Sequence, residues 1–294
     1  MTHATPAIGV QTLSVAPPIP STLVYPEDLR ADAPEQRVRT PVKVDEIGSG
    51  EPVVFLHGLL GVNEHWYPVA RSLAPRAKCV MLGMPLLELK GDTCSVDGVT
   101  KLTIAVLDAV VGGPSVIIGN SLGGHVAQRI AMERPDLCKA LILAGSSGLF
   151  ERTLERGVEH RPSHDWVTRK IKGLFCDEDR VPPDLIDRAF EELSQRHAAR
   201  AVVRLGRSAK SDHMGDRIHT IQHPTLLLWG MQDAVTPPEV AEEFHELIPN
   251  SKLAWIDRCG HAPMIERPDE FAQAIHTFLD QLASGEFNGG QGRA

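Results

Sequence analysis

The chain has 294 residues and a formal net charge of -8, with 42% hydrophobic and 23% charged residues, the balance of a globular protein rather than a fibre or a disordered chain. An acidic chain without a sustained Lys/Arg run repels a phosphate backbone, so nucleic acid is not an expected partner. Its longest apolar runs, such as Pro52 to Leu56 and Ala140 to Ala144, fall far short of the roughly 20 residues needed to span a bilayer, so no membrane span is expected.

Residues 1–36 are rich in Pro, Thr, Ser and Ala without helical or strand periodicity, and predict an extended or disordered arm. Met1 to Ser21 lacks a positively charged start and is interrupted by Pro6, Pro17, Pro18 and Pro20. It does not match a secretory signal, and a cytoplasmic location is expected. The cysteines at 79, 94, 138, 176 and 259 are odd in number, scattered and without a C-x-x-C pair, which reads as reduced thiols.

Val42 to Ile47 alternates like a half-buried strand, and Gly48-Ser49-Gly50 turns the chain into the buried run Pro52 to Leu56. Runs of strand length recur at Cys79 to Leu82, Ser115 to Ile118, Ala140 to Leu143, Thr225 to Trp229 and Lys252 to Ile256. The segments between several of them are helical: Val99, Leu102, Val106 and Val110 recur at three or four residues, as do Leu122, Val126 and Ile130. A last helix opens at Arg267-Pro268-Asp269-Glu270 and turns Phe271, Ile275 and Phe278 inward. Alternating strand and helix predicts an α/β fold with a mostly parallel sheet covered on both faces. Residues 147–223 break the alternation: they hold no strand-like run, while Asp165 to Phe175 and Asp184 to His197 look helical. The expected division is a core of 37–146 and 224–283, a helical cap of 147–223 and a flexible tail of 284–294.

Gly119-Asn120-Ser121-Leu122-Gly123 matches G-x-S-x-G between a predicted strand and a predicted helix. A serine on such a sharp turn projects its hydroxyl over the sheet, and glycines give room where a Cβ would clash. Asp233 follows the strand ending near Trp229, in Gly230-Met231-Gln232-Asp233-Ala234-Val235-Thr236-Pro237. His261 follows the strand ending near Ile256, in Cys259-Gly260-His261-Ala262-Pro263. Ligands meet open parallel sheets at the carboxyl ends of strands. There Ser121 would serve as nucleophile, His261 as general base and Asp233 as the acid orienting the histidine. His57-Gly58-Leu59-Leu60-Gly61 follows another strand, and the backbone N–H groups of Leu59 and Leu122 are the candidate oxyanion hole. The His57 side chain reads as a satisfied structural histidine.

These motifs, in the chain order Ser121, Asp233, His261, resemble the α/β-hydrolase family over roughly Val42 to Leu282. The resemblance implies the α/β-hydrolase fold and makes residues 147–223 the family's variable helical cap. Asn120-Ser121 and Gly148 to Phe150 are similar to the carbon–carbon bond hydrolases of aromatic ring degradation. That group usually has a glycine-rich loop after His-Gly and a tryptophan after the catalytic histidine, where this chain has Leu59-Leu60 and Ala262.

No metal is expected: Pro162 interrupts His160 with His164, Pro224 ends His219 with His223, and neither pair forms a helical H-E-x-x-H. The absence of G-x-G-x-x-G after the first strand and of G-x-x-x-x-G-K argues against a nucleotide cofactor. The Arg-rich stretch Arg152 to Arg161 reads as a solvated helix face. The expected activity is hydrolysis of a carboxylic ester of a small, largely apolar substrate, since the loops placed at the pocket, Leu59-Leu60 and Met84 to Leu87, are apolar. The alternatives are a carbon–carbon bond hydrolase, which calls for a cap arginine such as Arg152, Arg169, Arg188 or Arg204, and a non-catalytic ligand receptor on the same fold.

Overall fold

Each apolar run read above as a strand joins one sheet: the central runs are bounded by turn residues and apolar enough to be buried on both faces, and Lys252 to Ile256, which is only partly buried, closes one edge. The computed structural model describes residues 17–25, 41–151 and 162–290. In these, β1 (Ser21–Val24), β2 (Val42–Ile47), β3 (Glu51–Leu56), β4 (Ala77–Gly83), β5 (Ser115–Asn120), β6 (Cys138–Ala144), β7 (Thr225–Gly230) and β8 (Ser251–Ile256) form a sheet in the order β1-β2-β4-β3-β5-β6-β7-β8. From β4 to β8 every neighbouring pair is parallel, whereas β2 pairs antiparallel with β4 and β1 antiparallel with β2.

The helices are α1 (Tyr67–Leu73), α2 (Val96–Val110), α3 (Leu122–Glu133), α4 (His164–Lys172), α5 (Leu185–Ser194), α6 (Arg196–Ser211), α7 (Pro238–Leu247), α8 (Pro263–Glu266) and α9 (Pro268–Ser284). Successive strand residues point to opposite faces, so the sheet supports two cores. Val54, Leu56, Ile117, Leu141 and Leu227 pack with α2, α3 and α7, and Val53, Phe55, Ile118, Ile142 and Leu228 pack with α1 and α9. The order of strands reverses at β3, whose neighbours are β4 on one side and β5 on the other. The two crossovers therefore leave in opposite directions and open a crevice at the carboxyl ends of β3 and β5. Helices α4 to α6 are inserted between β6 and β7.

Three features add detail to the sequence expectation. Within the arm predicted for residues 1–36, Ser21 to Val24 is a strand of the sheet, tied down by the Ser21 hydroxyl on Asp45, by Arg71 Nη2 on Pro17 O at 2.6 Å and by the buried Ile19. The second helical run of the insertion ends at Ser194, and Gln195 (ψ 122°) separates it from α6, which the sequence reading did not separate out. In the tail, Phe287 stacks edge-on against Phe278 with ring centroids 5.2 Å apart. The stretch Arg152 to Arg161, with His160, lies outside the described residues, as does most of the N-terminal arm. No helix among the described residues is long and apolar enough to cross a membrane.

Candidate active site

The crevice holds the elbow. Ser121 sits between β5 and α3 with φ 53° and ψ −120°, a region that costs a non-glycine residue on the order of 1–3 kcal/mol. The surrounding structure imposes it: Ser121 N donates to Ala144 O at 3.2 Å, while Ser121 O accepts from Gly124 N, His125 N and Ser147 N at 2.9–3.1 Å. A Cβ on Gly123 would lie 2.2 Å from Leu56 O, and one on Gly119 2.4 Å from Gly123 O, so the turn closes only with glycine at both places.

Asp233 and His261 meet beside it. His261 Nδ1 is 2.9 Å from Asp233 Oδ2, with the two residues only 6% and 3% exposed. Asp233 Oδ1 accepts from Val235 N at 2.8 Å and Thr236 N at 2.9 Å, and Oδ2 accepts from the Thr236 hydroxyl at 2.9 Å. Burial pushes the Asp233 carboxyl up, but the His261 charge, its hydrogen bond and the two backbone donors outweigh it and hold the group below the usual carboxylate range. Burial pushes the His261 imidazole down, and the Asp233 charge and hydrogen bond override it, so its pKa stands above the ordinary histidine value; Glu151 adds in the same direction. With Nδ1–H turned to the carboxylate, Nε2 presents a lone pair.

Two residues that the sequence reading gave no role join this pair to its surroundings. Asn120 Nδ2 donates to His261 O at 3.0 Å and to Ala144 O at 2.9 Å, so the residue before Ser121 holds the histidine loop. Gly145 has φ 49°, and a Cβ there would sit 2.9 Å from Asp233 Oδ2 and 3.0 Å from His261 Nδ1. The Asp-Ala-Val-Thr spacing at 233–236 was a readable signal for the Asp233 turn; a glycine needed by a contact distant in sequence leaves no local signal.

The loop after β3 reaches the elbow: a Cβ on Gly58 would lie 2.9 Å from Ser121 Cβ and 3.2 Å from Asn120 O. Among the described residues neither the Leu59 nor the Leu122 amide has an internal acceptor, and Leu122 opens α3, where the helix dipole is positive. Leu60 is held at φ 58°. His57 Nδ1 donates to Gly58 O at 2.8 Å and Nε2 accepts from Met84 N at 3.0 Å, the satisfied structural role expected of it. Burial keeps this imidazole below the ordinary histidine range.

A cleft of about 270 Å³ opens between these loops and the insertion. Leu60, Met84 and Leu87 form one wall, as the sequence suggested. The other wall is polar: α5 and the start of α6 place Glu192, Gln195 and His197 there, beside Glu88. Glu88 Oε1 is 3.2 Å from His197 Nε2, and burial raises the pKa of Glu192 against the pull of Arg188. Neither Ser121 nor His261 lines this cleft, and among the described residues its walls carry no arginine or lysine. Among the described cap arginines, Arg188 is engaged by Asp184 and His65 and Arg204 by Asp92. No group of three or more His, Cys, Asp or Glu among the described residues is arranged to hold a metal ion.

Fold and site define the class: the chain belongs to the α/β-hydrolase family, whose family model matches residues 53–274. A crystal structure of an alpha/beta hydrolase enzyme from the metagenome of sediments of the lagoon of Mar Chica, Morocco, is 30% identical, with a TM-score of 0.67 over 82% of this chain and 95% of that one. The pimeloyl-[acyl-carrier protein] methyl ester esterase of Nitrosomonas europaea is 26% identical over 80% of this chain and 98% of its own length. The 2-hydroxy-6-oxo-6-(2'-aminophenyl)hexa-2,4-dienoic acid hydrolase of Metapseudomonas resinovorans is 26% identical over 81% of this chain and 87% of its own.

Proposed function

We propose that this hydrolase cleaves the carboxylic ester of a small molecule through an acyl-enzyme intermediate on Ser121. The observation that carries the reading is the buried Asp233–His261 pair, 2.9 Å apart, held through Asn120 to the elbow that presents Ser121. In this mechanism His261 Nε2 takes the Ser121 proton as Oγ attacks the ester carbonyl. The amides of Leu59 and Leu122 receive the negative charge of the tetrahedral intermediate. His261 then returns the proton to the departing alkoxide, and water repeats the sequence to release the acid. No metal or cofactor is needed for any step. The same roles make a non-catalytic receptor the poorer reading, because a receptor has no use for a serine held in a strained conformation beside an oriented imidazole.

Carbon–carbon bond hydrolysis is the second reading, favoured by the similarity to the dienoic acid hydrolase. Its leaving group is a carbanion, which departs only after the dienoate is ketonised, and a clamp for the acidic substrate is most naturally an arginine. This chain has Leu59-Leu60 and Ala262 where the carbon–carbon bond hydrolases usually have a glycine-rich loop and a tryptophan, and among the described residues no arginine or lysine lines the cleft beside the loop after β3. The five unpaired cysteines suit a reducing compartment, and we place the protein in the cytoplasm. Stopped-flow comparison of p-nitrophenyl butyrate with a meta-cleavage dienoate tests the assignment. The expected kcat/KM is at least about a hundredfold higher for the ester, a difference of roughly 2.7 kcal/mol in transition-state binding. Faster cleavage of the dienoate would transfer the assignment to the second reading.

A further inference from the structure

Glu266, at the end of α8, is fully buried. Its two carboxylate oxygens each accept one backbone amide. Oε2 takes Gly260 N at 2.6 Å, the residue before His261. Oε1 takes Asp177 N at 2.7 Å, in the stretch of the insertion that follows α4. The same two segments are joined directly by His261 N on Leu174 O at 2.7 Å. They are packed so closely that a Cβ on Gly260 would stand 2.4 Å from Leu174 O and 3.0 Å from Cys176 N. A buried polar group is costly unless hydrogen bonds satisfy it, and this carboxyl group is placed where its two bonds join the histidine loop to the insertion.

We infer that Glu266 is a positioning residue for His261, a carboxylate clamp that locks the Leu174–Asp177 segment of the insertion against the histidine loop. The inference rests on the reading of His261 as general base. The backbone of His261 is then held at three points: the Gly260 amide by Glu266, its own amide by Leu174 and its carbonyl by Asn120. General-base transfer depends on hydrogen-bond geometry to within a fraction of an ångström, so loosening the first point reduces turnover more than binding.

Glu266→Gln is the direct test. The amide oxygen can accept only one of the two N–H groups, and the NH₂ faces the other as donor against donor. Glu266→Asp keeps the charge but, one methylene shorter, reaches one donor at a time. For p-nitrophenyl butyrate at a temperature well below either variant's Tm, kcat is expected to fall at least tenfold in Glu266→Gln. KM should stay within threefold, and Glu266→Asp should fall between the variant and the wild type. A purely structural role would lower Tm and leave kcat of the folded fraction unchanged, and that result overturns the proposal. Should Glu266→Gln not fold, the Glu266→Asp kcat decides on the same terms. His261→Ala, run in parallel, separates the two levels: if it retains turnover, the general-base reading fails and this inference with it. If it is inactive while folded Glu266→Gln or Glu266→Asp matches wild type, only the clamp fails.

Discussion

Asp233 accepts three hydrogen bonds from its own turn before His261 adds a fourth contact. The carboxylate is thus oriented independently of the histidine, and it can fix the imidazole rather than follow it. Asp233→Asn would keep the backbone bonds at Oδ1 and put an NH₂ group against the Thr236 hydroxyl and His261 Nδ1. The amide then favours the wrong tautomer, and kcat should fall by roughly 10³ to 10⁴ with KM little changed. The pH profile gives a second readout. His261 must be neutral to take a proton, so activity falls as pH drops through its pKa. Because Asp233 holds that pKa above the ordinary value, the acid limb of kcat/KM in the wild type should have its midpoint above that of an unperturbed histidine. In Asp233→Asn the effect of burial is opposed only by the smaller effect of Glu151, and the midpoint should move to lower pH. An unmoved midpoint in the pH–rate profile would show that the orienting acid lies elsewhere.

At the level of elements, the nucleophile turn depends on how closely α3 approaches β3. Gly123→Ala sets two magnitudes against each other. Alanine favours a helix over glycine by up to about 1 kcal/mol, but its Cβ would meet Leu56 O at 2.2 Å and His57 O at 2.8 Å. Both atoms are backbone at the end of a central strand and cannot yield cheaply. Net destabilisation on the order of 1–3 kcal/mol is expected, read as a lowered urea midpoint; an unchanged midpoint would mean that the elbow is looser than its contacts imply. Strands β2 to β8 and helices α2, α3, α4, α5 and α9 were legible in the sequence because each carries its own apolar run or period, whereas α1, α7 and α8 were not read from it. Helix α6 was not, because its buried face is built from Ala198, Ala201, Leu205 and Ala209, and alanine gives little contrast against Arg and Ser. Strand β1 was hidden for a different reason: it is flanked by prolines, exposes Leu23 and is held in place by Asp45, 24 residues beyond Ser21.

Across the whole molecule, the residues proposed for catalysis come from β5, β7 and β8 and reach the same carboxyl edge as the loop after β3. That convergence was legible because it needs only strand ends and chain order. The wall contributed by α5 and α6 was not, since which face of an inserted helix turns to the core depends on packing no local pattern records. The same limit hid Glu266 and Gly145, whose partners lie 89 positions away in one case and across two strand ends in the other. Catalysis by this route requires Ser121 to carry the acyl group during turnover. Peptide mass spectrometry of enzyme quenched during hydrolysis of p-nitrophenyl butyrate should find a butyryl adduct on the peptide containing Ser121. Ser121→Ala should show no adduct and at least about 10⁴-fold lower kcat with the fold intact. An adduct on another residue, or more than a tenth of wild-type activity in Ser121→Ala, would contradict it.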